Sequence, residues 1–243
     1  MRVNQIPILI TRAEPGARET ALRVEALGLN AVKSSVLEIQ ARLQEQLPDL
    51  RSLAGLVFTS ANGVRAFTSR SADRDLGAWC VGPATATAAR AAGFSVVHES
   101  SGNAVDLAKF IAKHTAPSDA PLLHIANHAA KGDLQRTLKE QGFQVDFAPL
   151  YEMRVATALS DAAMRALTTE TPVIALIHSA KGAEAFARLC GGIRVRNLNV
   201  VAISDKAAQP LNALSPKEIQ VAGEPNEDGL FTTLASGIAT LSA

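Results

Sequence analysis

Short apolar runs alternate with amphipathic segments along the whole chain. Pro7 to Thr11 is strand-sized and bounded by a proline and a polar turn. Pro15 to Leu27 then follows a helical period, with Ala17, Ala21, Val24 and Leu27 on one apolar face. Pro15 suits the first turn of that helix and Gly28 the position just past its end. The strand pattern returns at Leu56 to Thr59, Trp79 to Val81, Leu122 to Ile125, Val173 to Ile177 and Val200 to Ile203. Runs that are apolar at nearly every position belong to strands covered on both faces by helices. Strands alternating with helices predict an α/β protein built on parallel sheets.

Two stretches of this pattern are copies of each other. Ser34-Ser35-Val36-Leu37-Glu38 aligns with Ala148-Pro149-Leu150-Tyr151-Glu152, anchored by Gly28-Leu29 and Gly142-Phe143. The copy continues where Phe58 to Phe67 matches Ile177 to Phe186 at the Ser, Ala, Gly, Ala and Phe positions. A duplicated α/β unit follows. The copies differ at one informative place: Tyr151, the single tyrosine of the chain, stands where the other copy has Leu37.

Most strong strands run into a small-residue turn that opens a helix. These turns are Thr59-Ser60-Ala61-Asn62-Gly63, Gly82-Pro83-Ala84-Thr85, Asn127-His128-Ala129-Ala130-Lys131-Gly132, Ser179-Ala180-Lys181-Gly182 and Ser204-Asp205-Lys206-Ala207. In a parallel sheet they lie at the carboxyl ends of the strands, where ligands bind. Backbone N–H groups at helix starts, helped by the helix dipole, attract anions. The same residue types also serve simply as helix caps.

Composition narrows the choice. The chain has 243 residues, 47% of them hydrophobic and 19% charged, enough for one large or two small domains. With 24 basic and 23 acidic residues, a net charge of +1 and no run of like charge, it carries no electrostatic footprint for nucleic acid. Cys80 and Cys190 lie far apart in apolar surroundings and read as buried thiols of a reducing compartment. The segment from Met1 to Pro7 lacks the pattern of a signal peptide, and no apolar run is long enough for a membrane span, so a cytoplasmic protein is expected.

Several chemistries lack their motifs. No Gly-rich phosphate loop follows a strand and no G-x-S-x-G elbow is present. His124 and His128 are four apart, but His124 falls in a strand, where that spacing builds no metal pair. His98 and His114 read as surface residues. His178, at a strand end beside Ser179, suits either a ligand contact or a capping and packing role.

Four segments taken in order carry a family resemblance: Ile8 to Gly16, Val57 to Val64, Val81 to Ala88, and Pro149-Leu150-Tyr151-Glu152. In that order and spacing the chain resembles uroporphyrinogen-III synthases over nearly its whole length. The resemblance implies two flavodoxin-like α/β domains with parallel sheets, joined by a two-stranded connector. Residues 1–36 and 153–243 would form the discontinuous domain and 37–152 the other. Val36 to Gln40 and Pro149 to Arg154 would be the connector strands. It implies a lyase, working without metal or organic cofactor. Such an enzyme cyclises hydroxymethylbilane with inversion of ring D and loss of water, in a cleft between the domains.

The resemblance also implies site residues. Tyr151 would serve the departing hydroxyl as proton or hydrogen-bond donor. Thr59, Ser60, Ala61, Asn62, Gly82, Pro83, Ala84 and Thr85 would contact the substrate, largely through backbone, and Ser179, Ala180 and Lys181 would do so from the second copy. Asn127 and Ser204 stand in equivalent turns. Arg12, after the first strand, suits a substrate carboxylate or a solvated position at a helix start. Two departures from the family pattern stand out: Asn127-His128 replaces a common Arg-Gly pair, and Asp205 places a carboxylate beside Lys206 where the family often has neutral residues. A monomer with no membrane or nucleic-acid partner is expected. Two other readings are a non-catalytic homologue that binds a polycarboxylate, and a two-lobed binding protein, which would call for a secretion signal.

Overall fold

The structure, a computed structural model, describes residues 5–130 and 132–242. Met1 to Asn4, Lys131 in the third small-residue turn and Ala243 lie outside the described residues. In chain order the elements begin β1 (Pro7–Ile10), α1 (Gly16–Ala26), β2 (Asn30–Lys33), β3 (Leu37–Ala41), β4 (Gly55–Phe58), α2 (Ala61–Thr68), β5 (Ala78–Cys80) and α3 (Pro83–Ala91). The middle of the chain adds β6 (Val97–Glu99), α4 (Ala104–His114), β7 (Leu122–Asn127), α5 (Asp133–Glu140) and β8 (Val145–Val155). It ends with α6 (Asp161–Thr168), β9 (Val173–Ile177), α7 (Ala180–Leu189), β10 (Leu198–Ala202), α8 (Asp205–Ala208), β11 (Glu218–Val221) and α9 (Glu227–Ser242).

The chain divides into two compact units, Met1–Ile39 with Arg154–Ala243, and Gln40–Met153. In the first, among the described residues, a five-stranded sheet has the order β11-β10-β9-β1-β2, with parallel pairing throughout. Counted within that unit the order is the doubly wound 2-1-3-4-5. Ile8, Ile10, Val24, Leu176, Leu230 and Leu234 meet in its core. In the second, β8-β7-β4-β5-β6 pair in parallel and β3 stands at the edge beside β8. Successive side chains of β4 point to opposite faces. Leu56 and Phe58 therefore join Phe67 and Phe94 on one side, while Val57 joins Leu107, Ile111 and Leu138 on the other.

The repeat is visible in the backbone. At the end of α1, Gly28 N–H donates to Glu25 O and Leu29 N–H to Val24 O. At the end of α5, Gly142 donates to Lys139 O and Phe143 to Leu138 O. Both are the same helix-terminating motif, with the glycines at φ 72° and 86°, a region that side-chain-bearing residues avoid. This motif also corrects one expectation. The helical period assigns Leu27 to the apolar face of α1, but the residue sits at the cap, where the chain leaves the helix, and is 60% exposed.

β8 is longer than the connector strand expected at Pro149 to Arg154, because it continues directly from a sheet strand. Arg42 N–H donates to Leu150 O, and Ala156 N–H donates to Val36 O, so the two connecting segments run in opposite directions. Cys80 and Cys190 are buried free thiols. His114 is exposed, as read from the sequence. His98 is half-buried instead, stacked on Trp79 with ring centroids 3.9 Å apart. Among the described residues no helix is long and apolar enough to cross a membrane.

Candidate active site

Each sheet has a point where successive crossovers reverse direction, and ligands of open α/β sheets bind outside the carboxyl ends of the strands there. In the 40–153 unit the reversal lies between β4 and β7. Thr59 and Ser60 follow β4, Asn127 ends β7, and Tyr151 lies on β8 directly opposite Asn127. Tyr151 reaches that place through a register slip. Ile125 pairs with Ala148, but Asn127 pairs with Tyr151, so β8 carries one extra residue in between. Without the slip Leu150 would stand opposite Asn127. One inserted residue re-aims a side chain, a recurring use of bulges at sites. Pro149, a proline inside a strand, lies within the slip.

The Tyr151 hydroxyl lies 2.8 Å from Ser60 Oγ. Its residue is only 5% exposed. Burial pushes the phenol above its ordinary value, opposed by hydrogen bonds from Ser60 and from the Asn127 backbone. The group therefore keeps its proton at neutral pH and can donate it. Ser60 has a second task. Its Oγ accepts from Gly63 N–H at 3.2 Å and caps α2.

Ser179 and Ser204 cap α7 and α8 in the same way, by accepting from Gly182 and Ala207. The three caps share nearly one backbone conformation, with φ between −164° and −165°. Capping thus accounts for all three serines, and contact with Tyr151 sets Ser60 apart. Ala61 and Asn62 occupy the first turn of α2, and Asn62 Oδ1 accepts from Arg65. At the end of β5, Gly82, Pro83 and Ala84 lead into α3, while Thr85 is turned inward and is 4% exposed. Asn127 Oδ1 accepts from Ala129 N–H at 2.8 Å, which commits it to holding its own turn. His128 is exposed and donates its backbone N–H to Tyr151 O.

In the other unit the reversal lies between β1 and β9. Arg12, Ser179, Ala180 and Lys181 gather there, and Ser204 opens the next helix along. Lys181, Asp205 and Lys206 are exposed. Arg12 is already engaged. Its Nη1 donates to Glu227 Oε2 at 2.9 Å, and Thr20 Oγ1 donates to Glu227 Oε1 at 2.7 Å. His178 Nε2 lies 3.3 Å from Glu227 Oε2. Burial alone would raise the Glu227 carboxyl. His178, Thr20 and Arg12 outweigh it and hold the carboxyl down to about 2. Sequence reasoning missed Glu227, because its partner Arg12 is 215 positions away.

The model of the family described as uroporphyrinogen-III synthase HemD matches residues 18–232. The chain belongs to the uroporphyrinogen-III synthase family. Its structure is similar to that of uroporphyrinogen-III synthetase from Helicobacter pylori, with TM-score 0.63 and 16% identity over 96% of this chain and 99% of that one. It is also similar to a mutant uroporphyrinogen III synthase from the extremely thermophilic bacterium Thermus thermophilus, with TM-score 0.50 and 14% identity over 98% of this chain and 99% of that one. At these identities the likeness is one of fold, and it matches the α/β architecture with parallel sheets implied by the sequence. Among curated proteins, none matches the chain.

Proposed function

We propose that this chain cyclises hydroxymethylbilane to uroporphyrinogen III, inverting ring D and releasing water. Membership of the synthase family supports the reaction. The observation that carries the residue assignment is the Tyr151–Ser60 hydrogen bond at the crossover reversal of the 40–153 unit. Tyr151 gives its proton to the terminal hydroxyl, which leaves as water and generates a protonated azafulvene. Attack from the substituted carbon of ring D gives a spiro intermediate, which fragments and recloses inverted. The proton released at the final ring carbon restores the phenol. Ser60 donates to the phenol oxygen and steadies its charge while the proton is away.

The carboxyl-end turns of each unit supply contacts to the polycarboxylate, with Thr59 to Asn62, Gly82 to Thr85, Asn127, Ser179 to Lys181 and Ser204 as the contact segments. Arg12 contributes only when a ligand carboxylate replaces Glu227. Uncatalysed closure proceeds without inversion, so the protein's main task is geometric. The reading includes a cytoplasmic monomer without nucleic-acid or membrane partners; the near-neutral charge of +1 supports the absence of a nucleic-acid partner.

Product analysis tests the reading. Hydroxymethylbilane is generated in place with the purified protein, and the oxidised porphyrin isomers are separated by chromatography. Predominantly type III isomer is expected. Type I alone, from demonstrably folded protein, overturns the proposal.

A further inference from the structure

Arg12, Thr20 and His178 converge on one carboxylate, and that carboxylate belongs to the chain itself. Arg12 follows β1 and His178 follows β9, the two strands at the crossover reversal of the unit formed by residues 1–39 and 154–243. Thr20 lies on the inward face of α1 with Ala17, Ala21 and Val24 and is fully enclosed. An apolar side chain would satisfy that face; the hydroxyl instead donates to Glu227 Oε1 at 2.7 Å. Arg12 Nη1 donates to Glu227 Oε2 at 2.9 Å and to Thr20 Oγ1 at 3.3 Å. Each carboxylate oxygen thus has its own donor. A β-carbon on Gly16 would stand 2.6 Å from Arg12 Cζ, so the glycine that opens α1 leaves the space the guanidinium fills.

Glu227 is a replaceable occupant of this cradle. The Arg12 side chain is 33% exposed and that of Glu227 26%, so a solute can reach both. His178 is the enclosed member, its side chain 9% exposed and its Nε2 3.3 Å from Glu227 Oε2. Neither of its ring nitrogens has a hydrogen-bond partner among the described residues. Enclosed polar groups are normally paired, and the resident carboxylate leaves this one unpaired. Nor is Glu227 the sole tie of α9. Leu230, Phe231, Leu234 and Ile238 hold that helix in the core, and Asp228 pairs with Arg23 at the surface at 2.8 Å. Rotation of one side chain would vacate the cradle.

We propose that Glu227 is an internal stand-in for a substrate carboxylate, and that Arg12, Thr20 and His178 form a cradle which one carboxylate of the linear tetrapyrrole enters by displacing it. The inference deepens the synthase reading above and rests on it for the identity of the ligand. Paired donors with a guanidinium among them select a carboxylate held by both oxygens. The resident carboxylate also sets a threshold. It is tethered, so a single carboxylate from solution competes poorly with it. A ligand already anchored through other carboxylates presents the next at an effective concentration on the order of millimolar and can displace it. The cradle thereby favours polycarboxylates over monocarboxylates.

Two measurements test it together. The first is steady-state kinetics with hydroxymethylbilane. Glu227→Ala empties the cradle and should lower KM about tenfold with a smaller change in kcat, because an internal competitor that fills a site nine-tenths of the time weakens apparent affinity by about that factor. Glu227→Gln should move KM the same way. Arg12→Gln should raise KM more in the Glu227→Ala background than in the wild-type background. An ion pair with only a structural role would lose stability in these variants without any fall in KM. The second measurement needs no turnover. With propionate replacing chloride at constant ionic strength, the urea midpoint of Glu227→Ala should rise, while those of wild type and of Glu227→Ala with Arg12→Gln should not. A KM unchanged or raised in folded Glu227→Ala and Glu227→Gln, or a Glu227→Ala midpoint indifferent to propionate, overturns this inference alone. Wild-type protein that forms no type III isomer overturns it together with the synthase reading.

Discussion

Ser60 and Ser179 occupy the same place in the two copies and cap their helices alike, yet only Ser60 touches the tyrosine. Ser60→Ala and Ser179→Ala should each cost about 1 kcal/mol of stability in urea unfolding. Only Ser60→Ala should also lower kcat. Tyr151→Phe should lower kcat about ten- to a thousandfold while shifting stability by about 1 kcal/mol, since one neutral hydrogen bond is lost. A normal rate with lost stability would assign Tyr151 to packing. Glu227 gives a pH signature. A carboxyl depressed on folding contributes stability fully present above its unfolded value, near roughly 4.3, and lost as pH falls toward the folded value. With the folded carboxyl near 2, the gap in urea midpoint between wild type and Glu227→Gln should be open at pH 7 and narrower at pH 3. Tyr151 stood out in the sequence because the internal repeat supplied its own control, Leu37. The engagement of Arg12 was not legible, because nothing local to residues 12–20 marks a partner near residue 227. His124 was legible only as a poor metal ligand, and its contact with Thr59 was not, because the sheet brings the two together from 65 positions apart.

At the level of elements, strands and helices were readable from apolar runs, and the small shifts at their ends have physical causes. The helix expected at Pro15 to Leu27 stops at Ala26 because Gly28 provides the left-handed turn one residue past the cap. The slip in β8 was not readable, because a proline in a strand signals irregularity without saying in which direction the register moves. The glycines at equivalent positions in α2 and α7 are a sharper case, for they match in sequence and differ in surroundings. A β-carbon on Gly63 would stand 2.7 Å from Ile125 O, a backbone atom that cannot turn aside. One on Gly182 would meet Ser179 Oγ at 3.1 Å, a side-chain atom that can rotate. Gly63→Ala should therefore destabilise by about 1–3 kcal/mol, and Gly182→Ala by less, as compared in parallel denaturant titrations. Equal costs would mean that α2 can slide away from β7.

For the whole molecule, the family and its α/β architecture were legible from four short segments in order, while the internal occupancy of the sites was not. Each compact unit holds one cysteine, Cys80 in residues 40–153 and Cys190 in the other. Burial pushes both thiols up to about 12; at Cys80 the Arg90 charge pulls back and Glu99 adds to the rise. In buffer at pH 8 neither should react with iodoacetamide over a time that fully modifies a free peptide thiol. In a denaturant series each should become labelled when its own unit opens, as read by peptide mass spectrometry, and rapid labelling without denaturant would contradict the burial described. The interrupted first unit also sets an order of events on the ribosome. β1 emerges first, but its partner β9 is made only after all of residues 40–153. The middle unit is contiguous and can close while β1 waits, on the order of ten seconds at bacterial-like elongation rates of roughly 5–20 residues per second. During that interval Ile8, Leu9 and Ile10, wholly enclosed in the finished protein, have only the β2 side of their sheet available. Within this unit the part made earlier, and not the part made later, is the one that most needs shielding from wrong partners.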